Sequence, residues 1–194
     1  MSYEVFSLGS LARNKDDKEL LEGRLKEFCC VRDEQLERFI RDQAFFYESK
    51  GYGRTYLIFD TEGEDLDTFP PIAAFFTLAL TATDYSGISR NKKEKVLGSK
   101  PGRKTFRSFA GILIGQLARD DRYDSSFIDG ETLLRECENY IELGRQYLGG
   151  RIVYLDCKKP LIETYQRNSY RLLSDEPTDE GYYKMYKVLP DKLA

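Results

Sequence analysis

The sequence has 194 residues, of which 41% are hydrophobic and 32% charged, and its formal net charge is −3. These values are typical of an ordinary globular protein and predict one domain, residues 1–194, with a sizeable core. The N-terminus has no basic lead, and the longest apolar stretch, Ile72 to Leu80, is too short to cross a bilayer. We therefore expect a cytoplasmic protein that does not contact a membrane.

The chain contains no histidine. This absence excludes Ser–His and Cys–His nucleophilic catalysis and most zinc hydrolase chemistry, so proton transfer must use carboxylates, tyrosine, lysine, cysteine or water. The four cysteines, Cys29, Cys30, Cys137 and Cys157, lack the CxxC spacing of zinc sites and redox motifs. We expect reduced, mostly buried thiols and no metal site.

In the first half of the chain, the spacing of apolar residues predicts alternating strands and helices. The predicted elements are a strand over 3–11, helices over 16–47 with a break at 31–33, a strand over 55–59, an acidic turn over 60–67 and a strand over 72–80. Asp33 follows the helix break and is a suitable N-cap for the second helix. The last strand is apolar throughout, which is typical of a strand covered on both faces.

The second half continues this alternation. Its predicted elements are a basic loop insertion over about 84–108, a strand over 109–117, a polar stretch over 119–129, a helix from 130 to 148, a strand over 152–157, a short helix over 160–168 and a strand over 182–189. The long helix carries one apolar stripe, and Gly144 on that stripe would allow a close approach to the sheet. The order predicts a mixed α/β fold with a central sheet flanked by helices.

The strand–loop–helix from Phe109 to Gly149 can favour an anion. The first amides of a helix have no internal partners, and together with the helix dipole they attract a group such as a pyrophosphate. Gly130 lies where the helix begins, and Ser125 and Ser126 add hydroxyl donors. Asp129 and Glu131 argue against an anion at this position, because carboxylates repel a phosphate. An ordinary connection, with both acids favouring the helix dipole, remains the alternative.

The same stretch resembles the GNAT family of N-acetyltransferases. ILIGQLA (112–118) is similar to the family's Leu-Ala strand, and GETLL (130–134) is similar to the start of its Leu-Leu helix. Downstream, IVYLDC, ETYQRNSY and the closing YYKMYKVL follow the family order, with Ser169–Tyr170 in place of Gly-Phe. The likeness covers residues 35–189 and is greatest to the toxin-like branch. In the loop, only the last glycine of the family's Q/R-x-x-G-x-G/A motif is retained, as Gly130.

The resemblance implies a GNAT-like sheet and transfer of an acetyl group from acetyl-CoA to a primary amine. By the same resemblance, the backbone of Leu117 and Ala118 pairs with the pantetheine arm, and Tyr165 donates a proton to the leaving CoA thiolate. The pyrophosphate would be held by the amides of Ser126, Phe127, Ile128, Asp129, Gly130 and Glu131. A general base is not assigned, and Asp60, Asp84, Asp120 and Asp121 remain candidates.

Two other functions stay open. One is a non-catalytic binding module that keeps the fold, since the loop has lost glycines. The other is a toxin-like enzyme that acetylates aminoacyl-tRNA, with the basic segment, residues 88–107, contacting RNA phosphates. That segment carries about +7 and the rest of the chain about −10. It is otherwise a solvated loop, or a contact for an acidic protein or for the 3′-phosphate of CoA. The acceptor amine, an antitoxin-like partner and a homodimer are left open.

Overall fold

The computed structural model describes residues 2–62, 69–98 and 107–190. Seven strands in these ranges form one sheet, in the order β1-β2-β3-β4-β5-β7-β6. The strands are β1 Tyr3–Ser7, β2 Arg54–Asp60, β3 Ile72–Asp84, β4 Ser108–Arg119, β5 Ile152–Cys157, β6 Arg171–Leu172 and β7 Tyr183–Val188. β4 and β5 are parallel, whereas β1 with β2, β2 with β3, and β7 with both β5 and β6 are antiparallel. The predicted mixed α/β class is confirmed.

Helices connect these strands. They are α1 Leu8–Leu11, α2 Lys15–Glu27, α3 Glu34–Arg38, α4 Ala44–Lys50, α5 Arg90–Leu97, α6 Gly130–Leu148 and α7 Ile162–Arg167. A π-helical turn, Phe39–Gln43, joins α3 to α4, and a 3-10 turn, Lys159–Leu161, precedes α7. In the part of the chain that the structure describes, no helix has the length and apolar character needed to cross a membrane.

The chain divides into two compact units. The first comprises Met1–Ala79 and Gly115–Tyr140, and the second comprises Leu80–Ile114 and Ile141–Ala194. Strands β3 and β4 and helix α6 each contribute residues to both units. The single-domain organisation expected from the length stays a prediction.

The first unit is built around an aromatic and aliphatic core. Helix α2 buries Leu21 and Leu25 completely, as its helical spacing predicts. The buried ring of Phe75 on β3 meets Phe28 edge-to-face, with centroids 5.2 Å apart, and stacks with Phe39 at 6.2 Å. Aromatic pairs in these geometries add about 0.5–1.5 kcal/mol beyond the area that they bury. The core therefore ties the N-terminal helices to the sheet.

Local caps decide where the first elements end. The strand predicted over 3–11 stops at Ser7, because the Ser7 hydroxyl accepts a hydrogen bond from the Ser10 amide and begins α1. Asp33 is the N-cap of α3, as predicted, and accepts from the Gln35 amide at 3.1 Å. Such caps satisfy helix donors that have no partner within the helix.

The second unit has a tyrosine-rich core. Tyr85 and Tyr154 are fully buried, and their hydroxyl oxygens lie 2.7 Å apart. Burial, with the hydrogen bond to Tyr154, raises the pKa of Tyr85 far above its ordinary value. These two phenols therefore stay neutral and act as a hydrogen-bonded pair within an otherwise apolar cluster.

The basic segment differs from its prediction as an exposed loop. Residues 90–97 form α5, whose N-cap Ser89 accepts from the Lys92 amide. Val96 and Leu97 are buried in the tyrosine-rich core. Burial of this apolar pair stabilises the helix. The surrounding lysines and the following glycines had favoured a loop in the sequence-based prediction. Lys100, Arg103 and Lys104 lie outside the described residues.

Helix α6 follows its predicted stripe for half of its length. Leu133, Leu134, Cys137 and Ile141 are buried, whereas Tyr147 and Leu148 in the last turn are 86% and 77% exposed. The close approach expected at Gly144 is wrong, since a Cβ there would meet no atom within 4 Å. The glycine therefore faces open space rather than the sheet.

Gly111 and Gly23 give a matched pair of stability tests. A Cβ at Gly111 would overlap the Tyr154 ring and lie 2.6 Å from the Ile152 carbonyl oxygen, whereas one at Gly23 in α2 would meet nothing. We expect Gly111→Ala to lower the free energy of unfolding by about 3 kcal/mol through overpacking. Gly23→Ala should raise it by about 1 kcal/mol through helix propensity. Urea unfolding measures both, and equal effects would contradict the packing at Gly111.

Candidate functional site

The residues predicted to bind the cofactor all fall in the first unit. Leu117 and Ala118 lie at the end of β4, where Ala118 is buried against the core and Leu117 is half-buried. Residues 126–131 form the end of the following loop and the first turn of α6. Tyr165 lies on α7 in the second unit. The residues predicted to bind the cofactor therefore belong to one unit, and the predicted acid belongs to the other.

The loop uses some of its own backbone donors. The Asp124 carboxylate accepts from the amide of Ser126 at 2.7 Å and also from its hydroxyl. These bonds, the hydroxyl bond first, lower the pKa of Asp124. Ile128 is buried, and its amide lies 3.4 Å from the Asp124 carbonyl oxygen. The Phe127 amide also bonds the Asp124 carboxylate, so three of the amides predicted to hold a pyrophosphate are already engaged.

The N-terminus of α6 is capped by Asp129. Its carboxylate accepts from the Thr132 amide at 2.7 Å, and this bond is the largest cause of a lowered Asp129 pKa. The amides of Asp129, Gly130 and Glu131 have no acceptor among the residues that the structure describes. A Cβ at Gly130 would meet nothing within 4 Å, so the backbone there is open to a ligand. Three amide donors and two carboxylates, those of Asp129 and Glu131, share this helix end.

Arg119, at the end of β4, is a cation that the sequence analysis did not single out. Its Nη1 donates to the Ile128 carbonyl oxygen at 2.7 Å, which places the guanidinium beside the loop. Its Nε is buried and has no hydrogen-bond partner within the described ranges. The sequence signal that could have identified Arg119 is a basic residue at the end of a strand, directly before a loop that is a candidate for anion binding.

Asp120 anchors the start of the same loop. Its fully buried carboxylate accepts from the Cys29 amide at 2.9 Å and from the Arg122 amide at 2.8 Å. Both Nε and Nη2 of Arg122 also donate to it, at 2.9 and 2.8 Å. A buried charge needs such compensation, since isolated burial is costly. These four bonds give Asp120 a structural role rather than that of a base.

The other candidate bases also have hydrogen-bond partners. Asp121 accepts from the Val31 amide at 2.7 Å and pairs with Arg32. Burial raises its pKa, but these bonds outweigh burial and leave the pKa below its ordinary value. Asp84 accepts from the Ser86 amide, and Asp60 accepts from the Tyr123 hydroxyl at 3.2 Å. Burial and the nearby Asp60 raise the pKa of Tyr123 to about 12.

Tyr165 is half-buried on a well-defined helix end. Its carbonyl oxygen accepts from the amides of Asn168 and Tyr170, each at 3.0 Å, and its ring meets the Tyr170 ring edge-to-face at 5.8 Å. Between them, Ser169 has a φ of 69°, a left-handed conformation that glycine adopts more readily. Ser169, which the sequence resemblance aligns with a glycine, thus adopts a conformation at the helix end that favours glycine.

The four cysteines are described by their burial, and the three buried ones also by their pKa values. All four cysteines are free, and three of them, Cys30, Cys137 and Cys157, are buried. Burial raises the pKa of these three thiols, to about 11 for Cys157. No group of three or more cysteine or carboxylate side chains in the described ranges is arranged to hold a metal ion.

No protein-family model matches the chain, and no curated protein matches it. Solved structures do match. A bacterial toxin is 17% identical, with a TM-score of 0.71 over 96% of this chain and 90% of the toxin. A tyrosine-to-phenylalanine mutant of KacT is 16% identical, with a TM-score of 0.68 over 95% of this chain and 94% of KacT. AtaT complexed with acetyl-methionyl-tRNAfMet is 16% identical, with a TM-score of 0.65 over 94% of each chain.

This chain shares their fold. The GNAT-like central sheet flanked by helices, which the sequence resemblance implied, is therefore confirmed as the architecture. Other structures with the same fold contain AtaT with the C-terminus of the antitoxin AtaR, alone or with acetyl-CoA, and AtaTR with acetyl-CoA. At 14–17% identity the likeness defines the fold alone.

Removing the Asp120 anchor should destabilise the first unit. Asp120→Ala leaves the Arg122 guanidinium and the Cys29 amide without their acceptor, and we expect a loss of about 3 kcal/mol in unfolding free energy. Arg32→Ala is the control, because the Arg32 side chain is 71% exposed in its pair with Asp121. Such a pair contributes at most about 1 kcal/mol. Equal losses in denaturant titrations would contradict the anchoring role.

The cap of α6 should give a pH-dependent effect. Asp129→Ala removes the cap and should cost about 1 kcal/mol at neutral pH, whereas Asp129→Asn keeps a capping oxygen and should cost less. The folded-state pKa of Asp129 is lowered, so its charge-dependent contribution is complete above the ordinary pKa of about 3.9. That contribution is lost as the pH falls through the lowered folded-state pKa. Urea unfolding at neutral and strongly acidic pH measures it, and a pH-independent difference would contradict it.

Proposed function

We propose that the protein is a cytoplasmic N-acetyltransferase of the toxin-like GNAT type, which transfers the acetyl group of acetyl-CoA to the amine of an aminoacyl-tRNA. The observation that carries this proposal is the open helix end at residues 129–131 in a chain with the fold of AtaT. AtaT has been solved with acetyl-CoA and with acetyl-methionyl-tRNAfMet. A primary amine on another molecule is the broader form of the same proposal.

The cofactor would lie along the end of β4 and the start of α6. The backbone of Leu117 and Ala118 would pair with the pantetheine arm as an added strand does. The amides of Asp129, Gly130 and Glu131 offer donors to the pyrophosphate, with the Arg119 guanidinium beside the loop adding positive charge. Of the six residues assigned to the pyrophosphate, Ser126, Phe127 and Ile128 would then shape the loop more than they bind.

Tyr165 would act as the acid of the transfer. The acceptor nitrogen attacks the thioester carbonyl carbon, the carbon–sulfur bond breaks, and the CoA thiolate takes the proton of the Tyr165 hydroxyl. A phenol with an ordinary pKa of about 10 suits a thiolate of similar basicity. The attacking amine would lose its excess proton to water or to a carboxylate, and the Tyr165 phenolate would regain a proton from water, so that the net change moves one proton from nitrogen to sulfur.

Helix α5 is the part of the basic segment that supports an RNA acceptor. It carries Arg90, Lys92, Lys93 and Lys95 and one acid, Glu94, which pairs with Arg90 at 3.2 Å. Three lysines on one short helix supply the charge that phosphates require, through release of condensed counterions. An antitoxin-like partner and a homodimer stay predictions.

A second candidate function is a non-catalytic binding module. The engaged Ser126 amide and the Asp129 carboxylate at the helix end favour it, because both reduce the capacity of the loop for an anion. This candidate predicts that the chain keeps its fold but does not respond to acetyl-CoA.

Calorimetric titration with acetyl-CoA separates the two functions. We expect binding by the wild-type protein and thermal stabilisation by the ligand. Tyr165→Phe should lower the rate of acetyl transfer to aminoacyl-tRNA by about 100-fold or more while leaving acetyl-CoA affinity nearly unchanged. Tyr147→Phe, at an exposed tyrosine of α6, is the matched control.

The outcomes are distinct. No binding at millimolar acetyl-CoA would overturn the enzyme in favour of the binding module. Lost affinity in Tyr165→Phe would show that Tyr165 has been misassigned. Asp129→Ser keeps a cap and removes the charge, so it should tighten acetyl-CoA binding by a few fold if the pyrophosphate lies at this helix end. Unchanged affinity in that variant would place the pyrophosphate elsewhere.

A further inference from the structure

Three exposed aromatic rings lie together at the end of α4. Phe46, Tyr47 and Tyr52 are 52%, 39% and 60% exposed. Each ring meets the other two nearly edge-to-face, with centroids 6.2, 6.0 and 5.7 Å apart. We call these three residues the aromatic surface.

Contacts with the buried core and with the helix end position the aromatic surface. The Tyr47 ring meets the buried Phe39 edge-to-face at 5.3 Å, and Phe39 stacks on Phe75 in the core. Tyr52 is placed by the helix end, where Gly51 has a φ of 70° and the Tyr52 amide donates to the Tyr47 carbonyl oxygen at 3.0 Å. A preorganised surface binds a ligand with little further ordering cost.

Helix termination explains part of this arrangement. In this type of helix end, the residue after the glycine commonly packs on the last turn, which accounts for the contact of Tyr52 with Tyr47. It does not require Phe46, whose ring lies mostly in solvent. Clustered exposed aromatic groups are characteristic of binding surfaces.

One cation lies over the aromatic surface. Lys50 Nζ lies 5.9 Å from the centroid of the Phe46 ring, and Arg54 begins the next strand. Glu48 is the one acid between residues 44 and 54. Its side chain is only 10% exposed, and it accepts from Arg54 and from the Thr55 amide. Exposed π faces beside cations are the combination that binds single-stranded nucleic acid.

We propose that the aromatic surface stacks unpaired bases of an RNA ligand. The proposal rests on the proposed function, in that it names the part of the RNA acceptor that this face contacts. Stacking on aromatic side chains tolerates any base, because every base has a π face. Lys50 would lie near an adjoining phosphate.

The test compares two labelled RNA probes by fluorescence anisotropy. One is a single strand of about 12 nucleotides, and the other is a blunt duplex of the same length. We expect the wild-type protein to prefer the single strand. Phe46→Leu/Tyr52→Leu keeps an apolar surface but removes the rings, and it should weaken single-strand binding by about 10-fold or more while leaving duplex binding unchanged.

Four further variants complete the comparison. Tyr52→Phe keeps the ring and should retain wild-type affinity. Tyr147→Leu, at an exposed tyrosine elsewhere, should change nothing. Lys92→Ala/Lys93→Ala, on α5, should weaken both probes alike and reduce the salt dependence of binding. Circular dichroism establishes that each variant is folded, and Tyr52→Leu alone should show a smaller loss in the same direction.

The proposal is overturned if the wild-type protein binds both probes equally, or if the double leucine variant keeps full single-strand affinity. The second outcome would indicate an apolar docking face for a protein. Failure of the proposed function is separate, because it is measured by acetyl-CoA titration and acetyl transfer. Single-strand binding that depends on the rings, in a protein that ignores acetyl-CoA, would support the stacking surface and overturn the enzyme.

Discussion

The buried carboxylate of Asp120 is the constraint on which the candidate cofactor loop depends. Asp120 directly follows β4 and binds both the Cys29 amide, from the segment after α2, and three donors of Arg122. The Cys29 carbonyl oxygen in turn accepts from the Asp121 amide at 2.8 Å. Two distant segments are thereby locked at the point where the strand ends. Removing a partner from a buried charge costs a protein much of its stability. The hydrogen bonds of Asp120 therefore fix the position of the start of the loop.

This rigid start matters because the loop lacks the glycines that usually let backbone approach a phosphate. Asp124 and Ser126 fold the middle of the loop on itself, and the buried Ile128 fixes its end. The open donors are consequently confined to the helix end, beside the guanidinium of Arg119. A cation there compensates partly for the carboxylates of Asp129 and Glu131, so the anion binding proposed here would depend on the balance of charge more than on glycine content.

The aromatic core of the first unit also has a surface consequence. The Phe75 ring contacts Phe39, and Phe39 contacts Tyr47, which is part of the aromatic surface. Packing that stabilises the fold thus also holds the exposed rings in place. Helix α5 supplies the complementary property, a cluster of cations supported by buried Val96 and Leu97. The exposed rings and the cations of α5 are thus each supported by buried side chains.

The sequence by itself determined the elements in which the spacing of apolar residues follows burial on one face or on both faces. These include the fully apolar start of β3, the first turns of α6 and the Asp33 cap, since each depends on neighbours a few residues away. It also carried the GNAT resemblance from which Tyr165 was named. Tertiary structure decided the helix at Arg90–Leu97, the anchoring role of Asp120 and the exposure of Phe46. Each depends on contacts between segments far apart in the chain, or on their absence, which local spacing does not encode.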